Sequence, residues 1–120
     1  MNLVLYGIPA CDTMKKARAW LDGHGIAYRF HDHRKDGLAR ADLERWCAAL
    51  GWEAVLNRAG TTFRKLPETA RANLDAEAAI TLMLAQPAMI RRPLLEGPGL
   101  LEAGFKPDRY ARLLQDGTRL

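Results

Sequence analysis

Residues 3–17 read LVLYGIPACDTMKKA, and the rest of the chain is predicted to be arranged around this segment. Its first half is an apolar run that ends in a turn around Gly7 and Pro9, which is typical of a short buried strand. Cys11 follows the turn, and a helical pattern begins directly after it. The cysteine is therefore predicted to lie between the end of a strand and the N-terminus of a helix. Unpaired backbone N–H groups and the positive end of the helix dipole stabilise a thiolate there, and the thiolate is the reactive form of cysteine.

Two roles are open to Cys11. A free cysteine is most often a small buried hydrophobe. Here Pro9 and Asp12 are loop residues, so the cysteine lies off any apolar stripe. Lys15 follows one helical turn later and Arg18 two turns later, and both positive charges favour a thiolate, whereas the carboxylate of Asp12 opposes it. The reactive role is the favoured interpretation.

The position of a second sulfur limits the chemistry. A redox Cys-x-x-Cys motif would place its second cysteine at position 14, where the chain has Met14. A thioether cannot resolve a disulfide, so disulfide chemistry at Cys11 needs an external thiol or Cys47. Because Cys47 shares an apolar helical stripe with Leu43 and Leu50, core packing is favoured for it.

Composition is typical of an ordinary soluble globular protein. A chain of 120 residues is long enough for one domain with one core. The formal charge of +4 comes from interspersed basic and acidic residues, so a nucleic-acid-binding tail is not expected. No apolar run approaches the roughly 20 residues that span a bilayer, so no membrane association is expected. The N-terminal residues lack the pattern of a secretory signal, and there are only two cysteines, which together predict a cytoplasmic protein.

The first third of the chain predicts a parallel pair of strands. A strand is expected at 2–7, a helix at about 13–23 and a second strand at 27–31. So short a strand–helix–strand unit implies parallel strands joined by a right-handed crossover.

The middle of the chain is predicted to be mainly helical. Helices are expected at 40–50 and at about 67–72, with an irregular stretch at 52–66 between them. A further helix is predicted from its cap at Asp75 to Gln86.

The last third predicts a hairpin and a helix. Leucine pairs at 94–95 and 100–101 flank a Gly-Pro-Gly turn at 97–99, which indicates two antiparallel strands. Pro107 then opens a last helix, whose inward residues are expected to be Tyr110, Leu113 and Leu114.

This order of elements resembles a thioredoxin-like fold. The predicted class is α/β, with a mixed β-sheet and flanking helices. A helical insertion is expected at about 37–88, within a single domain that covers residues 1–120.

Pro93 follows Arg92 just before the predicted third strand. A proline at this place in thioredoxin-like folds faces the active cysteine, so a cis bond is expected between Arg92 and Pro93, close to Cys11. The plain alternative is a trans proline at the start of a strand. Because Arg91 and Arg92 are adjacent, we expect them to point in different directions. One would then be solvated while the other holds an anion through bidentate hydrogen bonds.

Two polar segments have open interpretations. Residues 60–66, GTTFRKL, combine flexible backbone, hydroxyl groups and two cations, so they would suit either an anion-binding loop or a solvated one. His31, Asp32 and His33 have side chains that bind metal. With no third ligand nearby in the sequence, a polar strand end is favoured and no metal site is predicted.

These motifs resemble the arsenate reductase-related family, which contains the ArsC, YffB and Spx proteins. Residues 6–13 with 15–17 are similar to the active-site segment of that family. The YffB branch is the most similar, through Asn57 and 60–66 and through Arg92-Pro93 and Gly104-Phe105-Lys106. The resemblance covers nearly the whole chain. It implies a thioredoxin-like fold with a helical insertion and a cysteine nucleophile that works with glutathione and glutaredoxin.

The resemblance assigns roles position by position. Cys11 matches the family nucleophile, and Arg92 matches the arginine before the cis-proline. The arginine that arsenate reductases carry in the middle segment falls on Asn57 here, with Arg58 beside it and Arg64 further on.

Two features of the chain depart from the family's subgroups. The late arginine of arsenate reductases is absent, with Ala103 and Lys106 in that region, so a true arsenate reductase is the weaker expectation. The Spx branch usually has a Cys-x-x-Cys switch, which Met14 interrupts.

The expected function is a glutathione-dependent thiol reductase with Cys11 as its single nucleophile. Arg92, Arg64, Arg58 and Lys15 are the expected anion- or glutathione-binding residues. Glutathione would be a co-substrate, with no bound cofactor, and glutaredoxin would be a further partner. The alternative is an Spx-like, non-enzymatic regulator that binds RNA polymerase or another protein.

Overall fold

Four strands form one mixed sheet in the order β2-β1-β3-β4. The computed structural model describes residues 2–115. β1 pairs with β2 in parallel and with β3 antiparallel, and β3 pairs with β4 antiparallel. The parallel pair and the hairpin are both as predicted. The strands are Val4–Gly7 (β1), Arg29–Asp32 (β2), Leu94–Gly97 (β3) and Leu100–Ala103 (β4).

The chain divides into two compact units. Among the described residues, one is built from residues 2–32 and 92–115, and it contains the whole sheet. The other runs from His33 to Arg91 and is helical. The insertion expected at about 37–88 falls inside this second unit.

Helix α1, Asp12–Gly23, covers one face of the sheet. Its buried residues Met14, Ala17 and Leu21 recur at helical spacing, and all three are fully buried. They share one apolar cluster with Leu3, just before β1, and Leu5 of β1. Side chains two residues apart on a strand lie on the same face, so both leucines face α1. Helix α1 therefore follows β1 along the chain, as predicted, and packs against it.

The C-terminal segment completes the same cluster. Helix α7, Pro107–Tyr110, has proline in its first turn and continues as a π-helical turn over Ala111–Gln115. Tyr110 and Leu114 are fully buried, and Leu113 packs partly buried against the cluster. All three predicted inward residues therefore lie on the packed side.

The helical unit has five helices among the residues described. Gly51 adopts φ 88° directly after α2, a conformation that favours glycine and ends the helix where expected. The Asp75 side chain accepts a hydrogen bond of 2.8 Å from the Ala78 N–H, so its predicted capping role is confirmed. The helices are Arg40–Leu50 (α2), Trp52–Val55 (α3), Thr61–Arg64 (α4), Glu68–Arg71 (α5) and Ala76–Ala85 (α6), followed by a 3-10 turn at Pro87–Met89.

The prediction that residues 52–66 are irregular is wrong. Helices α3 and α4 lie within that stretch, and each buries one apolar side chain, Val55 and Phe63 respectively. Each helix has only four residues, too few to form alone. Packing of the unit therefore decides their structure.

Cys47 lies in the core of the helical unit. Cys47 is 8% exposed, and Leu43 and Trp46, its neighbours on α2, are fully buried. The predicted core position of Cys47 is confirmed. Within residues 2–115, no helix is long and apolar enough to cross a membrane.

Candidate active site around Cys11

A tight turn places Cys11 at the start of α1. The Cys11 N–H donates to the Ile8 carbonyl at 3.4 Å, and the Lys15 N–H donates to the Cys11 carbonyl at 3.1 Å. With φ −82° and ψ 135°, Cys11 has the extended backbone of an N-cap residue. The residue is partly exposed, and its side chain interacts with the backbone of the first turn of the helix.

The surroundings of the sulfur lower the Cys11 pKa below its ordinary value. Partial burial alone would raise the pKa, since it disfavours the charged form. The backbone N–H groups of Met14 and Thr13, and then the hydrogen bond and charge of Arg92, outweigh that effect. Cys11 forms no side-chain capping hydrogen bond of ordinary geometry, so the N–H groups act mainly as oriented dipoles. The site favours a thiolate.

Arg92 is the side chain that brings positive charge to the sulfur. It donates a hydrogen bond to Cys11 and also attracts the thiolate by its charge. The peptide bond between Arg92 and Pro93 is cis, as predicted, and Pro93 is buried next to β3. Cys11 and Arg92 thus belong to one unit and one site, and Pro93 follows Arg92 in the same unit.

Arg91 points elsewhere, as expected for the neighbour of Arg92. Its Nε donates to the Ala54 carbonyl at 2.9 Å, and its backbone N–H donates to the Val55 carbonyl at 2.8 Å. Arg91 therefore supports the backbone around α3. The sequence analysis chose Arg92 for the site, and Arg92 is the arginine that interacts with Cys11. The expectation that the other arginine is solvated is wrong, because Arg91 is half-buried and hydrogen-bonded to backbone carbonyls.

Lys15 and Arg18 of α1 have different surroundings. Lys15 is exposed. Arg18 donates from Nε to the Tyr28 hydroxyl at 3.2 Å and lies over the Phe30 ring at 4.6 Å from its centre. The Arg18 guanidinium is thus held by two aromatic side chains of the β2 segment. The groups that lower the Cys11 pKa are the backbone N–H groups of Met14 and Thr13 and the side chain of Arg92.

The other predicted anion-binding residues lie in the helical unit. Arg58 is exposed and lies over the Trp52 ring, 5.4 Å from its centre. Arg64 is exposed at the C-terminal end of α4. Both remain predicted residues of the anion site.

His31, within β2, and His33, directly after it, both contact aromatic rings. The His31 ring lies 5.0 Å from the Tyr6 ring, its register partner on β1. His33 is buried, with its ring 6.0 Å from that of Trp46. Within the described part of the chain, no three metal-ligating side chains come together.

One contact of the site was missed from the sequence. The Met14 side chain occupies the space directly in front of Gly7, where any other residue would place its Cβ. A possible signal was the alternation of Leu3, Leu5 and Gly7 on one face of the strand, in which the third position has no side chain.

Comparison with known proteins agrees with this geometry. The model of the ArsC family matches residues 6–113. The chain belongs to the ArsC family. The solved YffB protein (PA3664) is 63% identical, with a TM-score of 0.91 over 94% of this chain and 99% of that one. An arsenate reductase (ArsC) related protein from Brucella melitensis is 57% identical, with a TM-score of 0.78 over 93% of each chain.

Regulators are also among the relatives of this ArsC-family chain. The global transcriptional regulator Spx of Listeria innocua is 26% identical over 119 residues, covering 98% of this chain and 90% of that protein. The predicted family, its YffB-like branch and the thioredoxin-like α/β fold are confirmed.

Proposed function

We propose that this ArsC-family protein is a cytoplasmic, glutathione-dependent thiol reductase with Cys11 as its nucleophile. One observation carries the proposal: the sulfur of Cys11, at a helix N-terminus, receives a hydrogen bond from Arg92 and has a lowered pKa. A lowered pKa raises the thiolate fraction at neutral pH. An arginine beside the thiolate also offsets the repulsion that an anionic substrate would meet.

The proposed chemistry is thiol–disulfide exchange in two steps. The Cys11 thiolate attacks the glutathione sulfur of a mixed disulfide, so a bond forms between these sulfurs and the old disulfide breaks. The substrate sulfur leaves with the electron pair and takes a proton from water. A thiolate of free glutathione, or of glutaredoxin, then attacks the glutathione sulfur on Cys11 and releases Cys11 as a thiolate. With free glutathione, each turnover consumes one glutathione: its sulfur and the glutathione sulfur of the mixed disulfide become oxidised glutathione, and the substrate is released as a thiol.

An external thiol is needed in the second step because Met14 stands where a resolving cysteine would be. Cys47 is buried in the core of the helical unit, and burial raises its pKa. Both properties make Cys47 a poor resolving thiol. Glutathione supplies that thiol as a co-substrate in this proposal.

Arg92 is proposed to hold a carboxylate of glutathione while it stabilises the thiolate. A guanidinium offers two parallel donors that match a carboxylate, which lysine cannot do. Arg64, Arg58 and Lys15 are proposed as further cations for the same anion.

The test is the reduction of a glutathione mixed disulfide by purified variants. Cys11→Ser should abolish turnover, and Arg92→Ala should lower kcat/KM about ten- to a hundred-fold, the loss expected for one charge-assisted hydrogen bond. Arg92→Lys should recover part of the activity. Cys47→Ala is the matched control, since it removes the other thiol and should keep full turnover. Full turnover by Cys11→Ser would refute the proposal.

A second function is favoured by the Spx relatives. In that case the chain is a non-enzymatic regulator that binds RNA polymerase or another protein. Cys11→Ser separates the two functions, because it should spare binding by such a module while it abolishes a reductase. Retained binding to purified RNA polymerase, together with no turnover by the wild type, would favour the regulator.

A further inference from the structure

The start of α1 rests directly on the backbone of β1. A Cβ atom added to Gly7 would overlap the Met14 sulfur and would lie 2.8 Å from Cε and 3.3 Å from Cγ of the same side chain. Real Cβ atoms do not approach other heavy atoms so closely. The Met14 side chain therefore fills the space that a side chain at position 7 would take.

Gly7 lets the first turn of α1 lie closer to the strand backbone than the rest of the helix. Leu3 and Leu5 precede it on the same face and pack in the same cluster as Met14. The side chains of Leu3 and Leu5 lie between the strand backbone and the rest of α1. Gly7 has no side chain, so the N-terminal end of α1 can approach the strand there.

Met14 is well placed to transmit this contact to Cys11. It is fully buried and lies in the first turn of α1, which begins at Asp12 directly after the N-cap Cys11. Helical side chains lean toward the N-terminus of their helix, so the Met14 thioether lies under the turn that carries the Cys11 sulfur. The same residue contributes a backbone N–H that acts on Cys11.

We propose that Met14, seated on Gly7, is a positioning residue that holds the first-turn N–H groups of α1 toward the Cys11 sulfur. It does not touch the reactant and acts only through the backbone that it anchors. The inference rests on the proposed role of Cys11 as the nucleophile. It adds a reason for methionine at position 14 beyond the absence of a second thiol: a long, flexible side chain fills the irregular gap over a glycine.

A core role alone makes a different prediction. Leu21 lies on the same helix, in the same cluster, and is also fully buried. If Met14 only fills the core, truncating either residue should lower stability and leave the Cys11 thiol unchanged. If Met14 positions the first turn, only its truncation should change the thiol.

The experiment measures the alkylation rate of Cys11 by iodoacetamide against pH, with the product located by mass spectrometry. Met14→Ala should raise the Cys11 pKa by about half a unit or more, since the helix start loosens. Gly7→Ala should raise it similarly, since the added Cβ displaces the Met14 side chain from its position over the strand. Leu21→Ala should leave the pKa at the wild-type value. Met14→Leu, which keeps most of the volume, should recover most of the wild-type pKa.

Several results would overturn the inference. An unchanged pKa in Met14→Ala would do so, and so would an equal rise in Leu21→Ala, which would indicate general loosening. If Met14→Ala fails to fold, Gly7→Ala decides: an unchanged pKa there overturns the inference. Because the assay contains no glutathione, this result is independent of the turnover by Cys11→Ser that tests the proposed function.

Discussion

Removing the guanidinium of Arg92 should raise the Cys11 pKa by about one unit. A hydrogen bond to a charged group contributes about 1.5–3 kcal/mol. Cys11 is partly exposed, so solvent screens the interaction, and the lower end of that range is appropriate. About 1.4 kcal/mol corresponds to one pKa unit. The helix N-terminus remains in Arg92→Ala, so the pKa should not exceed that of an unperturbed cysteine by much.

The assay is again the pH dependence of Cys11 alkylation. Arg92→Lys should give an intermediate pKa, because the charge remains and the planar donor pair is lost. Arg91→Ala is the matched control, since its Nε binds the Ala54 carbonyl, and it should leave the Cys11 pKa unchanged. A wild-type pKa in Arg92→Ala would show that this arginine does not stabilise the thiolate.

Three other predictions concern Cys47, Tyr110 and the pH dependence of stability. Cys47, 8% exposed and with a pKa raised by burial, should react with iodoacetamide only when the protein unfolds, and rapid native labelling would contradict this. Within the described residues the buried Tyr110 hydroxyl has no hydrogen-bond partner, so Tyr110→Phe should keep or raise the free energy of unfolding, by up to about 1 kcal/mol in urea titrations; a loss would contradict this. Because the folded state lowers the Cys11 pKa, the thiolate's contribution to stability is complete above the unfolded-state pKa and disappears as the pH falls through the folded-state pKa. Cys11→Ser should therefore lose stability relative to the wild type at about pH 9.5 and not at about pH 5, and a difference independent of pH would argue against a stabilised thiolate.

The site was predictable where local signals and chain order agree. An apolar run, a Gly/Pro turn and a helical pattern place Cys11 at the start of α1, and the structure has this arrangement. The hairpin around residues 97–99 follows from its turn residues in the same way. The order of elements also led to the cis bond before Pro93, through resemblance to a known fold.

The parts that were not predicted depend on tertiary packing. Helices α3 and α4 are too short to be stable alone, so no local sequence pattern indicates them. Strand β1 begins at Val4 rather than residue 2, and β2 at Arg29 rather than residue 27, because pairing with neighbours sets strand ends. The contact between Met14 and Gly7 depends on how α1 packs against β1, which the spacing of the two residues in the sequence does not indicate.

The most direct test of Cys11 as the nucleophile is the intact mass of the protein after treatment with oxidised glutathione. We expect the wild type to gain the mass of one glutathione, located on Cys11, and reduced glutathione to remove it. Cys11→Ser should gain none, and Cys47→Ala should behave like the wild type. A wild type that forms no adduct, or an adduct located on Cys47, would contradict the proposal that Cys11 is the nucleophile of a glutathione-dependent reductase.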